Sequence, residues 1–144
     1  MMWWPLANNL VEYLKSLPDF SEDNVHAGIE NPVKKYPCVE VLWEGETGID
    51  LHKQSSGNIS FWIDEYVKNK ESAEAYAALF FMQKNTLAAL RNWPNHVKET
   101  LGLALKVTVS DIASDGETLR PVTGSRIILE IEWRGGKHYG YTEC

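Results

Sequence analysis

The sequence predicts an α+β fold, in which an antiparallel sheet of about four strands is packed on one face by a long helix and a short N-terminal helix. Three observations lead to this prediction: leucines at helical spacing near the N-terminus, four segments in which apolar and polar residues alternate, and one long apolar segment between the second and third of these. Two hairpins around one apolar helix are typical of an α+β domain.

Composition and charge place the chain among globular proteins of one domain. Of its 144 residues, 44% are hydrophobic and 24% are charged, which is an ordinary balance for a chain able to bury its own core. Lys and Arg number 14 against 20 Asp and Glu, so the net charge is −6. An acidic balance argues against a generic nucleic-acid or anionic-membrane binder. We predict one domain over residues 1–134 and a flexible C-terminal tail over 135–144.

Cysteine use and the lack of targeting signals predict a protein of a reducing cytosol. Cys38 and Cys144 do not form a disulfide framework, and Cys38 is expected to be buried at the start of a strand. The N-terminal segment has no basic region and does not match a signal peptide. The longest apolar run, residues 75–82, is far shorter than the ~18–20 residues that a membrane helix needs.

The first half of the chain is expected to form a helix and a hairpin. A helix is predicted over 5–17 from its four leucines, and residues 18–36 form a connection with a short strand near 25–29. Strands are predicted over 37–46 and 58–67, with their core-facing residues at Val39, Val41, Trp43, Ile59, Phe61 and Ile63. The pair Trp3-Trp4 either clamps the first helix to the domain or anchors a partner.

The second half is expected to form a helix and a closing hairpin. A helix over 73–91 is predicted to be apolar on both sides, so that it either lies under the sheet with the first helix covering it or presents a face to another subunit. It is predicted to be interrupted at Trp93-Pro94 and to resume over 95–101. Its broad core face is predicted to contain Ala73, Tyr76, Ala77, Phe80, Leu87 and Leu90, so Phe80→Ala should cost about 3–5 kcal/mol. Strands over 103–110 and 122–133 then follow, and Trp133 is expected in the core.

Sites for metals, dinucleotides and activated nucleophiles are not evident in the sequence, and we predict no cofactor and no metal. The four histidines lack zinc-site spacing, and Gly135-Gly136 does not lead into a helix. Glu130 and Glu132 project from one face of a strand, either as a general acid–base pair or as the solvent face of the sheet. Because Leu42, Trp62 and Ile128 share that face, it is a candidate protein–protein contact.

Several segments follow one another in an order that is typical of a known family. After a short N-terminal helix come YPCVEVLWEGE, a polar loop, NISFWIDEYV, a long helix containing LAALRNW, and a closing strand RIILEIEW. This order resembles the tail-terminator, or tail-completion, proteins of long-tailed bacteriophages and prophages. The resemblance extends over residues 5–134 in order and length.

The resemblance implies a structural protein and not an enzyme. Members of this family form a ring, commonly a hexamer, on the head-proximal end of a completed tail tube, where they stop tube polymerisation and provide the surface that joins the head. The implied partners are copies of this chain, the tail-tube protein and a head–tail connector protein, with no sequence-specific nucleic acid and no membrane. The implied location is the host cytoplasm during assembly and then the virion tail.

The candidate partner-interface residues lie in the loops at 45–58 and 111–121 and on the mixed sheet face. They are Asp50, His52, Lys53, Trp62, Asp64, Glu117, Arg120, Arg126, Glu130 and Glu132. Charge reversal at Arg126 is expected to change the oligomer size without unfolding the monomer.

Two other functions stay open on the sequence alone. One is another head–tail connector or minor structural protein of related fold. The other is a small α+β enzyme or ligand-binding domain that uses Asp64, Glu130, Glu132 or His52 around an aromatic pocket. A pocket of ~300 Å³ or more lined by those groups would favour the enzyme.

Overall fold

Two helices pack on one face of a five-stranded sheet in the computed structural model, which describes residues 1–29, 35–115 and 121–135. The elements are α1 (Trp3–Ser16), a 3₁₀ turn (Glu22–Asn24), β1 (Val25–Ala27), β2 (Cys38–Thr47), β3 (Ser56–Lys68), α2 (Ser72–Leu101), β4 (Leu103–Ser114) and β5 (Val122–Gly135). The predicted α+β class is confirmed. Residues 136–144 of the predicted tail lie outside the described residues.

The strand order is β1-β2-β3-β5-β4, and the sheet is mixed. Strands β2 to β5 pair antiparallel, as the two hairpins predict, but β1 pairs parallel with β2 through Val25 and Val39. The prediction of about four antiparallel strands was therefore wrong in number and in direction at this edge. The short strand predicted near 25–29 is confirmed as β1, but its place in this sheet, parallel to β2, was not predicted.

Helix α1 is fixed to the sheet by its leucines and by its first turn. Leu6, Leu10 and Leu14 are fully buried, which confirms the predicted stripe. The backbone N–H groups of Met2 and Trp3 donate to Glu46 Oε1 at 3.0 and 2.9 Å, so a carboxylate satisfies donors at the helix N-terminus.

The tryptophan pair at the start of α1 divides between the two roles expected for it. The Trp3 ring stacks on Trp43, with centroids 4.1 Å apart and planes 7° apart, so Trp3 clamps the helix. Trp4 is 53% exposed. Trp43 pairs with Phe61 on the helix side of the sheet but is 45% exposed, so its predicted place in the core was wrong. The stacked Trp3 ring covers one side of Trp43 at the start of α1.

Helix α2 runs without a break through Pro94, which corrects the predicted interruption. Proline in a helix interior removes one backbone hydrogen bond, and burial of Trp93 and Val97 on either side offsets that loss. Gly102 ends the helix in the left-handed conformation, with φ of 69°. Among the described residues, no helix combines the length and the apolar character needed to cross a bilayer.

The buried stripe of α2 differs from the predicted face. It comprises Ala75, Leu79, Thr86, Ala89, Leu90, Trp93 and Val97. Tyr76 and Phe80, which the sequence placed in the core, are 48% and 60% exposed. The helix is therefore not covered on both sides within one chain, and the alternative of a face presented to another subunit stays a prediction. Ala75 is small and Thr86 is polar, yet both occupy core positions. The pattern of large apolar residues alone therefore does not identify the buried stripe.

Candidate functional site

The face of the sheet opposite the helices brings together half of the predicted interface residues. Strand alternation and the β3–β5 register place Trp62 beside Ile128 and Asp64 beside Arg126. Further along β5, Glu130 and Glu132 project from the same face, opposite Ser60 and Asn58. We call this surface the uncovered sheet face. The predicted positions of Trp62, Asp64, Arg126, Glu130 and Glu132 on one face agree with the structure.

A row of charged side chains crosses three strands at the centre of this face. Glu40 on β2 lies opposite Asp64 on β3, which lies opposite Arg126 on β5. Arg126 donates from Nε to Asp64 Oδ1 at 2.8 Å and from Nη2 to Oδ2 at 2.9 Å, a bidentate pair. The guanidinium also lies 3.7 Å from the centre of the Trp62 ring. Hydrogen bonding to Asp64 raises the pKa of Arg126, so the guanidinium stays protonated at neutral pH.

Tyr66 lies beside the middle of this row, two residues after Asp64 on β3. Its ring packs against the backbone of Gly124, where an added Cβ would lie 2.7 Å from Tyr66 Cδ1, so a glycine is needed there. Burial, followed by the charges of Asp64 and Glu40, raises the pKa of Tyr66 to about 12. The tyrosine is therefore a neutral hydrogen-bond donor at physiological pH, and its hydroxyl donates to Asp64 Oδ2 at 3.4 Å.

A shallow groove of about 250 Å³ lies beside this ion pair, between β5 and the end of β4. Its lining includes Asp64, Tyr66, Asp115 and Arg126, and the Gly124 N–H donates to Asp115 Oδ2 at 2.8 Å. This volume is below the roughly 300 Å³ at which small-molecule pockets begin. The groove is also distant from Glu130 and Glu132, which are exposed towards the other end of β5. The structure thus does not bring the four candidate acidic and histidine groups of the enzyme alternative into one pocket.

The predicted loop residues lie at the far end of the β2–β3 hairpin. Asp50 Oδ1 accepts hydrogen bonds from the backbone N–H groups of His52 at 2.9 Å and Lys53 at 3.5 Å, which lower the pKa of Asp50. All three side chains are exposed, so this turn is a surface feature. Glu117 and Arg120 lie outside the described residues.

Chemically, the uncovered sheet face offers an internally neutralised ion pair with aromatic and acidic surface around it. Within residues 1–29, 35–115 and 121–135, no group of three or more His, Cys, Asp or Glu side chains could hold a metal ion. No protein-family model matches the chain, and no curated protein matches it. Any functional conclusion therefore depends on the surfaces and contacts of this chain itself.

Two exposed apolar patches are the features that sequence reasoning located least well. The N-terminal patch comprises Met1, Trp4, Trp43, Ile49 and Leu51, and the α2–β4 patch comprises Tyr76, Phe80, Val109 and Ile112. A groove of about 220 Å³ separates α2 from β4 within the second patch. The N-terminal patch lies beside β2 and the β2–β3 connection, and the α2–β4 patch lies beside β4, so that β3 and β5 separate the two patches in the sheet.

Glu65 is a buried carboxyl group that the sequence analysis overlooked. It lies on the helix side of β3, fully buried, with Oε2 2.6 Å from Thr86 Oγ1 of α2. The Thr86 hydroxyl also lies 3.0 Å from the Met82 carbonyl oxygen. A hydroxyl has one proton, so if Thr86 donates to Met82, the carboxyl group must donate to Thr86. Burial raises the pKa of Glu65 to about 7, although the hydrogen bond with Thr86 lowers it, so the carboxyl group is neutral in acid and ionises as the pH rises through neutrality.

The ion pair permits a direct test of its structural role. We expect Arg126→Met to lower the free energy of unfolding by about 2 kcal/mol, because Asp64 keeps its burial and loses two charged hydrogen bonds. Arg134→Met, at an exposed position of the same strand, is the control and should cost less than about 0.5 kcal/mol. Urea denaturation of the three proteins measures both values, and equal losses would contradict a structural role for the pair.

Because Arg126 pairs with Asp64 within one chain, charge reversal at Arg126 does not test a contact between subunits alone. Arg126→Glu would place a third carboxylate beside Asp64 and Glu40, both of which are buried. Like charges at this spacing disfavour the folded state. The substitution therefore perturbs the fold of the monomer as well as any contact between subunits.

Proposed function

We propose that this protein is a subunit of a ring that caps the completed tail tube of a long-tailed bacteriophage or prophage. In this function it stops tube polymerisation and provides the head-joining surface, with further copies of itself, the tail-tube protein and a head–tail connector as partners. It acts in the host cytoplasm during assembly and then remains at the head-proximal end of the virion tail. The observation that carries the proposal is the presence of two unlike apolar patches on one domain, one beside β2 and the other beside β4.

The placement of the patches suits a closed ring. A ring requires a heterologous contact, in which one surface of a subunit meets a different surface of its neighbour. The N-terminal patch projects two tryptophans, Trp4 and Trp43, while the α2–β4 patch contains a groove lined by Tyr76, Phe80 and Ile112. Aromatic side chains that enter pockets are the usual anchors of protein interfaces.

The uncovered sheet face and the hairpin loop suit contact with other proteins of the tail. The Asp64–Arg126 pair has little free charge to offer, and the exposed Glu130 and Glu132 lie beside the exposed Lys106, which is opposite Glu132. With −6 on each chain, six copies would carry about −36 in sum, and such a ring would not retain passing DNA through phosphate contacts.

A pair of complementary variants tests the ring. Phe80→Glu removes the α2–β4 patch and Trp4→Glu removes the N-terminal patch, and both positions are exposed, so each variant should fold. Each variant alone should fail to form rings and fail to stop polymerisation of the tail-tube protein. A mixture of the two should form dimers and stop there, because only one good contact can be made between them. Ala88→Glu, at an exposed position of α2 outside the patches, is the control.

Sedimentation velocity and electron microscopy, each with and without tail tubes, give the readout. Wild type and Ala88→Glu should form rings alone or on tube ends and should limit tube length. The proposal is overturned if wild-type protein stays monomeric at high concentration and leaves tube length unchanged. Tight, salt-sensitive binding of the protein to duplex DNA would also contradict it.

A further inference from the structure

One edge of the sheet is formed by β4, which pairs with β5 along one side. Its other side pairs with no strand within residues 1–29, 35–115 and 121–135. The strand has 12 residues, and every side chain from Thr108 to Ile112 is exposed. The backbone N–H and C=O groups along such an edge can hydrogen-bond to a strand of another chain. We call residues 105–112 the β4 edge.

The helix side of the β4 edge is apolar. Leu105 and Val107 are half-buried there, and Val109 and Ile112 are exposed. Their neighbours on β5 all belong to the hydrophobic core. The apolar layer therefore continues to the last strand of the sheet, and a strand added beside it would bury more of that layer.

The other side of the β4 edge carries one charge of each sign. Lys106 and Asp111 both project from the uncovered sheet face, and both are exposed. The register shift after Val109 leaves Ser110 outside the ladder with β5. Thr108 is therefore two ladder positions from each of the two charged residues.

The charges make the β4 edge complementary to a second copy of itself. When two copies run antiparallel with Thr108 opposite Thr108, Lys106 of each copy lies opposite Asp111 of the other. Opposite charges that face each other across two strands are stabilising, and like charges are destabilising. Registers centred on Lys106 or on Asp111 would place like charges together. Charge therefore favours the antiparallel register that is centred on Thr108.

The same register pairs the apolar side chains of the two copies. Leu105 of each copy lies opposite Ile112 of the other, and Val107 lies opposite Val109. Aliphatic and β-branched pairs of this kind stabilise antiparallel strands. Because side chains of one face meet side chains of the same face, the helices of both copies lie on one side of the joined sheet.

We propose that two copies of this chain form a symmetric dimer, in which their β4 edges pair antiparallel about Thr108 and join the two sheets into one. The dimer does not depend on the proposed ring, since it leaves the N-terminal patch unused. It covers Val109 and Ile112 of the α2–β4 patch. One chain therefore makes either the dimer or a ring contact through that patch at any one time.

Trp4→Glu is the background for the test, because it lacks the N-terminal patch and keeps the β4 edge. Sedimentation velocity of this full-length variant should show a monomer–dimer equilibrium at concentrations up to about 200 μM. A dimer of Trp4→Glu alone differs from the ring contact, which forms only when this variant is mixed with Phe80→Glu. A Trp4→Glu protein that stays monomeric over this range would overturn the proposal, whatever the outcome for the ring.

Exchange of charges tests the pairing of Lys106 with Asp111. In the same background, Lys106→Glu or Asp111→Lys alone places like charges opposite each other at two positions of the dimer and should weaken dimerisation about tenfold. Both substitutions together restore opposite charges and should recover most of the affinity. Lys53→Glu, at an exposed position of the β2–β3 connection, is the control and should leave the affinity unchanged. Single exchanges without effect, or a double exchange as weak as the single ones, would contradict the proposed pairing.

A cysteine at the centre of the dimer tests the register through a covalent bond. Thr108→Cys in a Trp4→Glu, Cys144→Ser background should form a disulfide between two chains under mild oxidation, because opposed residues of antiparallel strands have Cβ atoms about 4.5–5.5 Å apart. Cys38 is buried and does not compete. Glu130→Cys in the same background lies opposite Thr108 on β5, one strand inside the edge, and should not cross-link. Equal cross-linking of the two variants on a non-reducing gel would overturn the proposed register.

Discussion

Trp93→Ala should lower the free energy of unfolding by about 3–5 kcal/mol, the largest effect of any single truncation considered for this chain. Trp93 is fully buried in the common core of both helices and the sheet. Its indole Nε1 donates to Asn9 Oδ1 at 3.0 Å, which ties α2 to α1. Truncation would leave a cavity, remove the donor to Asn9 Oδ1, and remove the packing that supports α2 through Pro94. Urea denaturation followed by circular dichroism measures the loss.

Phe80→Ala is the matched comparison, since it truncates another aromatic residue of the same helix. The Phe80 side chain is 60% exposed, so we expect a change below about 0.5 kcal/mol instead of the 3–5 that the sequence pattern predicts. If Phe80→Ala were the more destabilising of the two, α2 would have to present the face that the sequence predicted.

The contrast between Trp93 and Phe80 explains why the element was predictable and its orientation was not. Apolar density over 73–91 was sufficient to predict a helix, and the same density on two sides made its core face ambiguous. In the folded protein, Thr86 lies at a core position of α2 and hydrogen-bonds to Glu65, and this contact fixes which side of the helix faces the sheet. That pairing joins two distant segments and has no local signature. The prediction of an interruption at Trp93-Pro94 was wrong for a similar reason, since tertiary packing outweighs the local effect of a proline on the helix.

The uncovered sheet face was more predictable than the contacts on it. Strict alternation in β3 and β5 assigned Trp62, Asp64 and Arg126 to one side, as the structure has them. Register determines which of these side chains are neighbours, and the sequence does not contain register in any local pattern. The bidentate Asp64–Arg126 pair, and the consequence that charge reversal at Arg126 affects the fold, therefore needed the structure.

Stability should depend on pH through Glu65, which alternation alone could have placed among core-facing residues. Its pKa is raised from 4.5 to about 7 by burial between β3 and α2. Over that interval the folded state holds a proton that the unfolded state has released. The contribution of this group is therefore fully present below pH 4.5, is lost as the pH rises to 7, and is constant above that. The loss is about 3 kcal/mol.

Glu65→Gln isolates this effect from the other titrating groups of the protein. Glutamine keeps the shape and can hydrogen-bond to Thr86 Oγ1 through its side-chain amide, but it does not ionise. The stability of the variant relative to wild type should therefore rise by about 3 kcal/mol between pH 4.5 and pH 8, measured by urea denaturation at each pH. Glu99→Gln, at an exposed position of α2, should show a difference that varies by less than about 0.5 kcal/mol over the same range. A flat difference for Glu65→Gln would mean that the carboxyl group is ionised and solvated at neutral pH, and that the contact between β3 and α2 is looser than its 2.6 Å hydrogen bond indicates.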